Sequence, residues 1–174
     1  MEENFSLAFY KSQVGSGTAK AAGSELPHAP AAWENKKVLI SLSNKESQKD
    51  QVLMIGKTLK DLGFTLVGTQ GTADFYNANG IKCEVVNKIG GGRPDVVDLI
   101  MNKEVCLVIN TPKAKRNYAE DRKTIRKVCL KYKVSYITTL AGAVAAVKGI
   151  EAVKNGNGGE GGVKSLQEYH SLIK

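Results

Sequence analysis

The chain has 174 residues, 42% apolar and 24% charged, which sets it among globular proteins with length for one domain and a short appendage. No apolar run approaches the ~20 residues of a membrane span, and Met1-Glu2-Glu3 is acidic where a secretory signal would be basic. A cytoplasmic setting is expected, and the formal net charge of +8 suits nucleic acid, an anionic membrane, a phosphorylated small molecule or plain solubility.

In chain order, residues 2–14 read as a short amphipathic helix with Phe5, Ala8 and Phe9 at helical spacing. Residues 21–32, rich in Ala and Pro and without a period, read as a linker. From Lys37 onward strands and helices alternate. Strands are predicted at about 37–43, 64–68, 82–86, 105–110 and 134–138. The first helix carries Val52, Ile55, Leu59 and Leu62 on one side, with Ser47 and Asp50 as a candidate cap and Gly63 at its end. Gly56 within it is a mild weak point, about 1 kcal/mol against Ala. A short helix follows around Phe75, others are predicted over 96–101, 121–132 and 140–153, and a last one over 165–173 follows the flexible loop 155–162. Alternation of this kind predicts an α/β fold, a five-stranded, mostly parallel sheet with helices on both faces.

Ligands in such sheets sit beyond the carboxyl ends of the strands. The residues there are Ser41, Ser43 and Lys45, with Lys49 further on; Thr69, Gly71 and Thr72; Asn87 and Lys88; Asn110 and Thr111; Thr138 and Thr139. Hydroxyls and ammonium groups dominate, and carboxylates are scarce. The turn Gly68-Thr69-Gln70-Gly71-Thr72 runs into a helix whose N-terminus carries partial positive charge. The simplest guest is a phosphate group.

Other chemistries find no support. There is no GxxxxGK[ST] and no GxGxxG after the first strand. His28 and His170 are remote from one another and give no metal-ligand spacing, so no metal site is expected. Cys83, Cys106 and Cys129 lie far apart and read as buried thiols. Asp95 reads as a helix cap. The few aromatics do not interleave with basic residues, so no nucleic-acid partner is expected, and with no long apolar run no membrane partner is expected either.

The stretches LISLSNKESQKDQV, LGFTLVGTQGTADFYNANGI, VVNKIGGGRPDVVDLI, LVINTP, EDRKTIRKVCLKYKVSYITTLAGA and VKSLQEYH resemble the methylglyoxal-synthase-like domain that closes the large subunit of carbamoyl-phosphate synthase. FSLAFYKSQVGSG is similar to the end of the preceding synthetase half. The resemblance implies a division into residues 1–20 as a tail helix, 21–36 as linker and 37–174 as the methylglyoxal-synthase-like sandwich, with Met1 opening a fragment of a longer enzyme. Methylglyoxal synthase places a catalytic Asp in a GPLGGD-like loop; here Arg93-Pro94 stands where that Asp is wanted, and NTPKAKRN replaces its second catalytic stretch. A purine-biosynthetic cyclohydrolase domain shares the phosphate loop but continues with a GRVKTLHP-like stretch that is missing here.

The resemblance therefore implies an allosteric domain, non-catalytic by itself, that binds a nucleoside monophosphate of the UMP or IMP type and tunes carbamoyl phosphate synthesis for pyrimidine and arginine production. The alternative is a divergent methylglyoxal synthase acting on dihydroxyacetone phosphate. By the family pattern Lys49, Thr69, Gly71, Thr72 and Lys88 hold phosphate, and Asn110, Thr111 and Asp121 the ribose side, with Ser41 and Ile125 beside them. Tyr136 and Thr138 match positions facing an ornithine site shared with the neighbouring domain. Implied partners are the rest of the large subunit, a glutaminase small subunit and a second copy of the domain. No cofactor is implied in this part; ATP, Mg2+ and K+ belong to the other domains. Each site residue has a bland rival: Lys88 as a solvated lysine, Asp121 as a cap, Tyr136 as core. Arg122, Lys123, Arg126, Lys127, Lys131 and Lys133 read as a solvated helix face. The first loop is longer than the family's, and Pro112 replaces a second Thr.

Overall fold

In the computed structural model of the chain, residues 36–43, 47–111 and 119–154 are described. The predicted helices over 2–14 and 165–173, the linker, the loop over 155–162, Lys45 and Pro112 lie outside them. The described residues form β1 (Lys37–Leu42), α1 (Lys49–Asp61), β2 (Thr65–Thr69), α2 (Gln70–Ala78), β3 (Cys83–Val86), α3 (Val96–Met101), β4 (Val105–Thr111), α4 (Ala119–Tyr132), β5 (Ser135–Ile137) and α5 (Leu140–Lys154). Among them no helix is long and apolar enough to cross a membrane.

The strands form one parallel sheet in the order β3-β2-β1-β4-β5. An all-parallel sheet must be covered on both faces, and its strands read as continuous apolar runs. Val38, Leu39 and Ile40 of the central strand are buried accordingly. Val38 and Ile40 pack with α1, α2 and α5 through Val52, Ile55, Leu59, Tyr76 and Val147. Leu39 faces the other way, toward Val96 and Ile100 of α3 and Cys129 of α4. Three layers result. Because β1 feeds β2 on one side and pairs with β4 on the other, the strand order reverses between β1 and β4, and a crevice opens at their carboxyl ends.

Four helices end in the same way. At α1 the Phe64 amide donates to the Leu59 carbonyl at 3.0 Å and the Gly63 amide to Lys60 at 2.9 Å, with Gly63 at φ 89°. This double return closes the helix through one left-handed residue. It recurs at α2 (Gly80), α3 (Lys103, φ 58°) and α4 (Lys133, φ 58°), each time launching the following strand. The N-cap of α1 is not Ser47, the residue that the sequence suggests. Gln48 occupies the N-cap position and makes no side-chain capping bond. α3 carries the stronger start: Asp95 accepts from the Val97 and Asp98 amides at 2.8 and 3.1 Å, and Asp98 accepts from the Asp95 amide at 2.9 Å.

Gly56 has a packing role that its helix propensity conceals. Its α-carbon faces the ring of Tyr76, a fully buried side chain whose hydroxyl donates to the Val52 carbonyl at 3.0 Å. The three cysteines are buried and unpaired by disulfides.

Candidate functional site

The crevice is a cavity of about 240 Å³ at the carboxyl ends of four strands. Each wall follows from strand periodicity. Successive side chains on a strand alternate faces, so Leu39 and Ser41 of β1 share the face turned to α3 and α4, and Ser43 follows just past the strand. Val108 and Asn110 do the same on β4. The register sets Ser41 beside Asn110 and Leu42 beside Thr111. Thr69 closes β2, Gly71 and Thr72 lie in the first turn of α2, and Lys88 follows β3. Asp121, Arg122 and Ile125 of α4 form the remaining wall.

Nine of the ten positions expected to hold the ligand thus line one cavity: Ser41, Thr69, Gly71, Thr72, Lys88, Asn110, Thr111, Asp121 and Ile125. Lys49 does not. It is exposed at the start of α1 and outside the lining. The phosphate turn also differs from the sequence expectation. The helix begins at Gln70, immediately after the strand, so Gly71 and Thr72 belong to the helix's first turn. There the backbone amides lack intrahelical partners.

The polar groups are held firmly. Thr69, Thr72 and Asn110 are buried although polar, and buried polar groups need partners. The Leu42 amide donates to Thr72 Oγ1 at 3.2 Å, which ties β1 to α2 and leaves the threonine hydroxyl proton available to a ligand. The Ser43 amide donates to the Thr111 carbonyl and to its Oγ1, at 3.0 and 3.2 Å. Asn110 Nδ2 donates to the Tyr136 hydroxyl at 3.3 Å. Burial raises the Tyr136 phenol pKa, opposed by the Asn110 bond and by the charges of Arg126 and Arg122.

Tyr136 lies behind the cavity wall on β5, beside Val108 in the register; Thr138 is exposed just past β5. Neither lines the cavity. Asp121 lies in the first turn of α4 and on the cavity wall. Arg122 lines the cavity too, in contrast to the solvated face expected for the basic run of α4, and its spacing of three from Ile125 is the signal of that placement in the sequence. Asp95 points elsewhere, its carboxylate engaged in capping α3. Among the described residues no group of three His, Cys, Asp or Glu side chains is gathered to hold a metal.

Fold and cavity together define an α/β domain with a polar cavity at the topological switch point, the place where sheets of this kind take small ligands. The family model described as "MGS-like domain" matches residues 51–138, and the chain belongs to that family. Its relatives include the carbamoyl phosphate synthase large chain of Archaeoglobus fulgidus, 42% identical over 98% of this chain, and that of Methanobrevibacter smithii, 41% identical over 97%. A carbamoyl phosphate synthase large chain, C-terminal section, of Methanopyrus kandleri is 40% identical over 88%. The chain spans 14% of the length of the first two relatives and 26% of the third.

Proposed function

We propose that this domain is the regulatory end of a carbamoyl phosphate synthase large chain and that its cavity takes a nucleoside monophosphate of the UMP or IMP type. One observation carries the reading: side chains from four separate strand ends, from Leu39 to Thr111, converge on a single cavity rich in hydroxyls and bearing a lysine. The α2 N-terminus, Thr69, Thr72 and Lys88 suit a phosphate, by partial charge, hydroxyl donors and full charge respectively. Asn110, Thr111 and Asp121 suit the hydroxyls of a ribose.

The domain does no chemistry of its own in this reading. Proton abstraction from a phosphorylated ketone needs a carboxylate poised over the ligand, whereas Asp95 of the Gly-rich loop is bound to its own helix and Asp121, on the cavity wall, is assigned to the ribose. The effector acts instead by coupling to the rest of the large chain, with a typical allosteric free energy of ~1–3 kcal/mol, and so sets carbamoyl phosphate output for pyrimidine and arginine synthesis.

Calorimetric titration of the chain with UMP and with IMP tests the proposal. The expected result is saturable binding by at least one, weakened about tenfold or more in T72V, which removes the hydroxyl. A folded domain that binds neither at millimolar ligand refutes it. Production of methylglyoxal from dihydroxyacetone phosphate would favour the lyase instead.

A further inference from the structure

Arg122 stands apart from the other basic residues of α4. Lys123, Arg126, Lys127 and Lys131 are exposed, whereas Arg122 is partly buried and lines the cavity with Asp121 and Ile125. Arg122 shares a face with Ile125, three residues on, whereas Lys123, Lys127 and Lys131 share another at spacings of four. Lys123 takes up Glu120 at 2.9 Å, and none of the ion pairs among the described residues engages Arg122. Arg122 stands on α4, the helix that leads from β4 to β5, so it belongs to that end of the site.

Lys88 belongs to the opposite end. It follows β3, while Arg122 follows β4, and the strand order sets β3 and β4 three spacings apart. At about 4.8 Å each, the ends of those two strands are about 14 Å apart, and Lys88 and the α4 residue Arg122 enter the cavity from its opposite flanks. With the phosphate at the α2 N-terminus and Lys88, the Arg122 flank is left to whatever group the ligand bears beyond its phosphate.

We propose that Arg122 is a specificity residue that reads a planar, oxygen-bearing group at the end of the ligand remote from its phosphate. The proposal rests on the reading above, in which the Lys88 end takes the phosphate. A guanidinium is planar, permanently charged and presents paired donors in a fixed fork. It matches the carbonyl edge of a nucleobase, or a carboxylate, better than it matches a sugar hydroxyl. Arg122 thereby makes the cavity select phosphate esters that carry such a group over bare sugar phosphates.

The test titrates the full chain, as wild type, R122A and R122K, with UMP, IMP and ribose 5-phosphate, which keeps the phosphate and sugar but lacks the base. R122A is expected to weaken its better nucleotide by about tenfold to a hundredfold, the range of a charged hydrogen bond, and to leave ribose 5-phosphate within about twofold. R122K keeps the charge without the fork and is expected to recover only part of the loss. Equal losses for nucleotide and sugar phosphate, or an unchanged nucleotide affinity, overturn the assignment. If R122A fails to fold, R122K alone decides, since a lysine as good as arginine rules out recognition by the fork. Wild-type protein that binds none of the three ligands defeats the phosphate reading itself, and this proposal with it; wild-type binding without discrimination by the variants defeats this proposal only.

Discussion

Replacing Gly56 by Ala is expected to destabilise the domain, although helix propensity alone predicts a gain of about 1 kcal/mol. A β-carbon built at Gly56 lies 2.9 Å from Tyr76 Cδ1 and 3.0 Å from Cζ, and closer still to Cε1. Ordinary carbon contacts begin near 3.4 Å, so the ring must shift. It has little room to do so: Tyr76 is fully buried among α1, α2 and the sheet, and its hydroxyl is anchored to the Val52 carbonyl. Overpacking costs about 1–3 kcal/mol, and losing the buried hydroxyl bond costs about 1–3 kcal/mol more. Set against the propensity gain, the net loss is about 1–5 kcal/mol. Urea denaturation followed by circular dichroism measures it, and the midpoint should fall with an unchanged slope. A second substitution, Y76L, in the G56A background opens the space and should cost less than the two changes do separately. G56A as stable as the wild type would show that the ring relaxes freely and that the close approach of α1 and α2 is not the reason for the glycine.

K103G should raise stability by about 1 kcal/mol, because Lys103 is held at φ 58°, where a β-carbon is penalised and glycine is not; thermal melting checks it, and a lower melting temperature counts against the motif. The buried thiols of Cys83, Cys106 and Cys129 are each pushed up to about 12, mainly by burial. At pH 9 they should react with a thiol reagent far more slowly in the native protein than in the urea-unfolded chain, and native rates equal to those of a free thiol would contradict the burial. The sign for stability follows: above about pH 9 the unfolded chain releases thiol protons that the folded one retains, so these groups make stability fall between about pH 9 and 12 and leave it unaffected below.

Periodicity and glycine placement made much of this fold legible. The five predicted strands fall within one or two residues of those observed, because continuous Val/Ile/Leu runs bounded by turns can hardly be anything else. Gly63 and Gly80 marked two helix ends openly. Lys103 and Lys133 perform the same turn invisibly, since lysine has no preference for the left-handed region and only the returning hydrogen bonds to Leu99 and Cys129 impose it. Gly56 looked like a weak point because propensity is local, while its neighbour Tyr76 lies twenty residues away in sequence. The cavity was legible for a simpler reason: parallel strands point their carboxyl ends the same way, so naming the strand ends named its wall. Lys49 fell outside because its distance from β1 depends on a loop whose course no periodicity reports. Arg122 was obscured by its company in a run of basic residues, among which only its register with Ile125 distinguishes it.

The most direct test of the account is a crystal structure of the chain with UMP or IMP bound. The phosphate is predicted to contact the first turn of α2, Thr72 and Lys88, with the ribose beside Asn110 and Thr111 and the base directed toward Arg122. A nucleotide bound outside this cavity, or one bound with its phosphate at Arg122 and its base at Lys88, would contradict it.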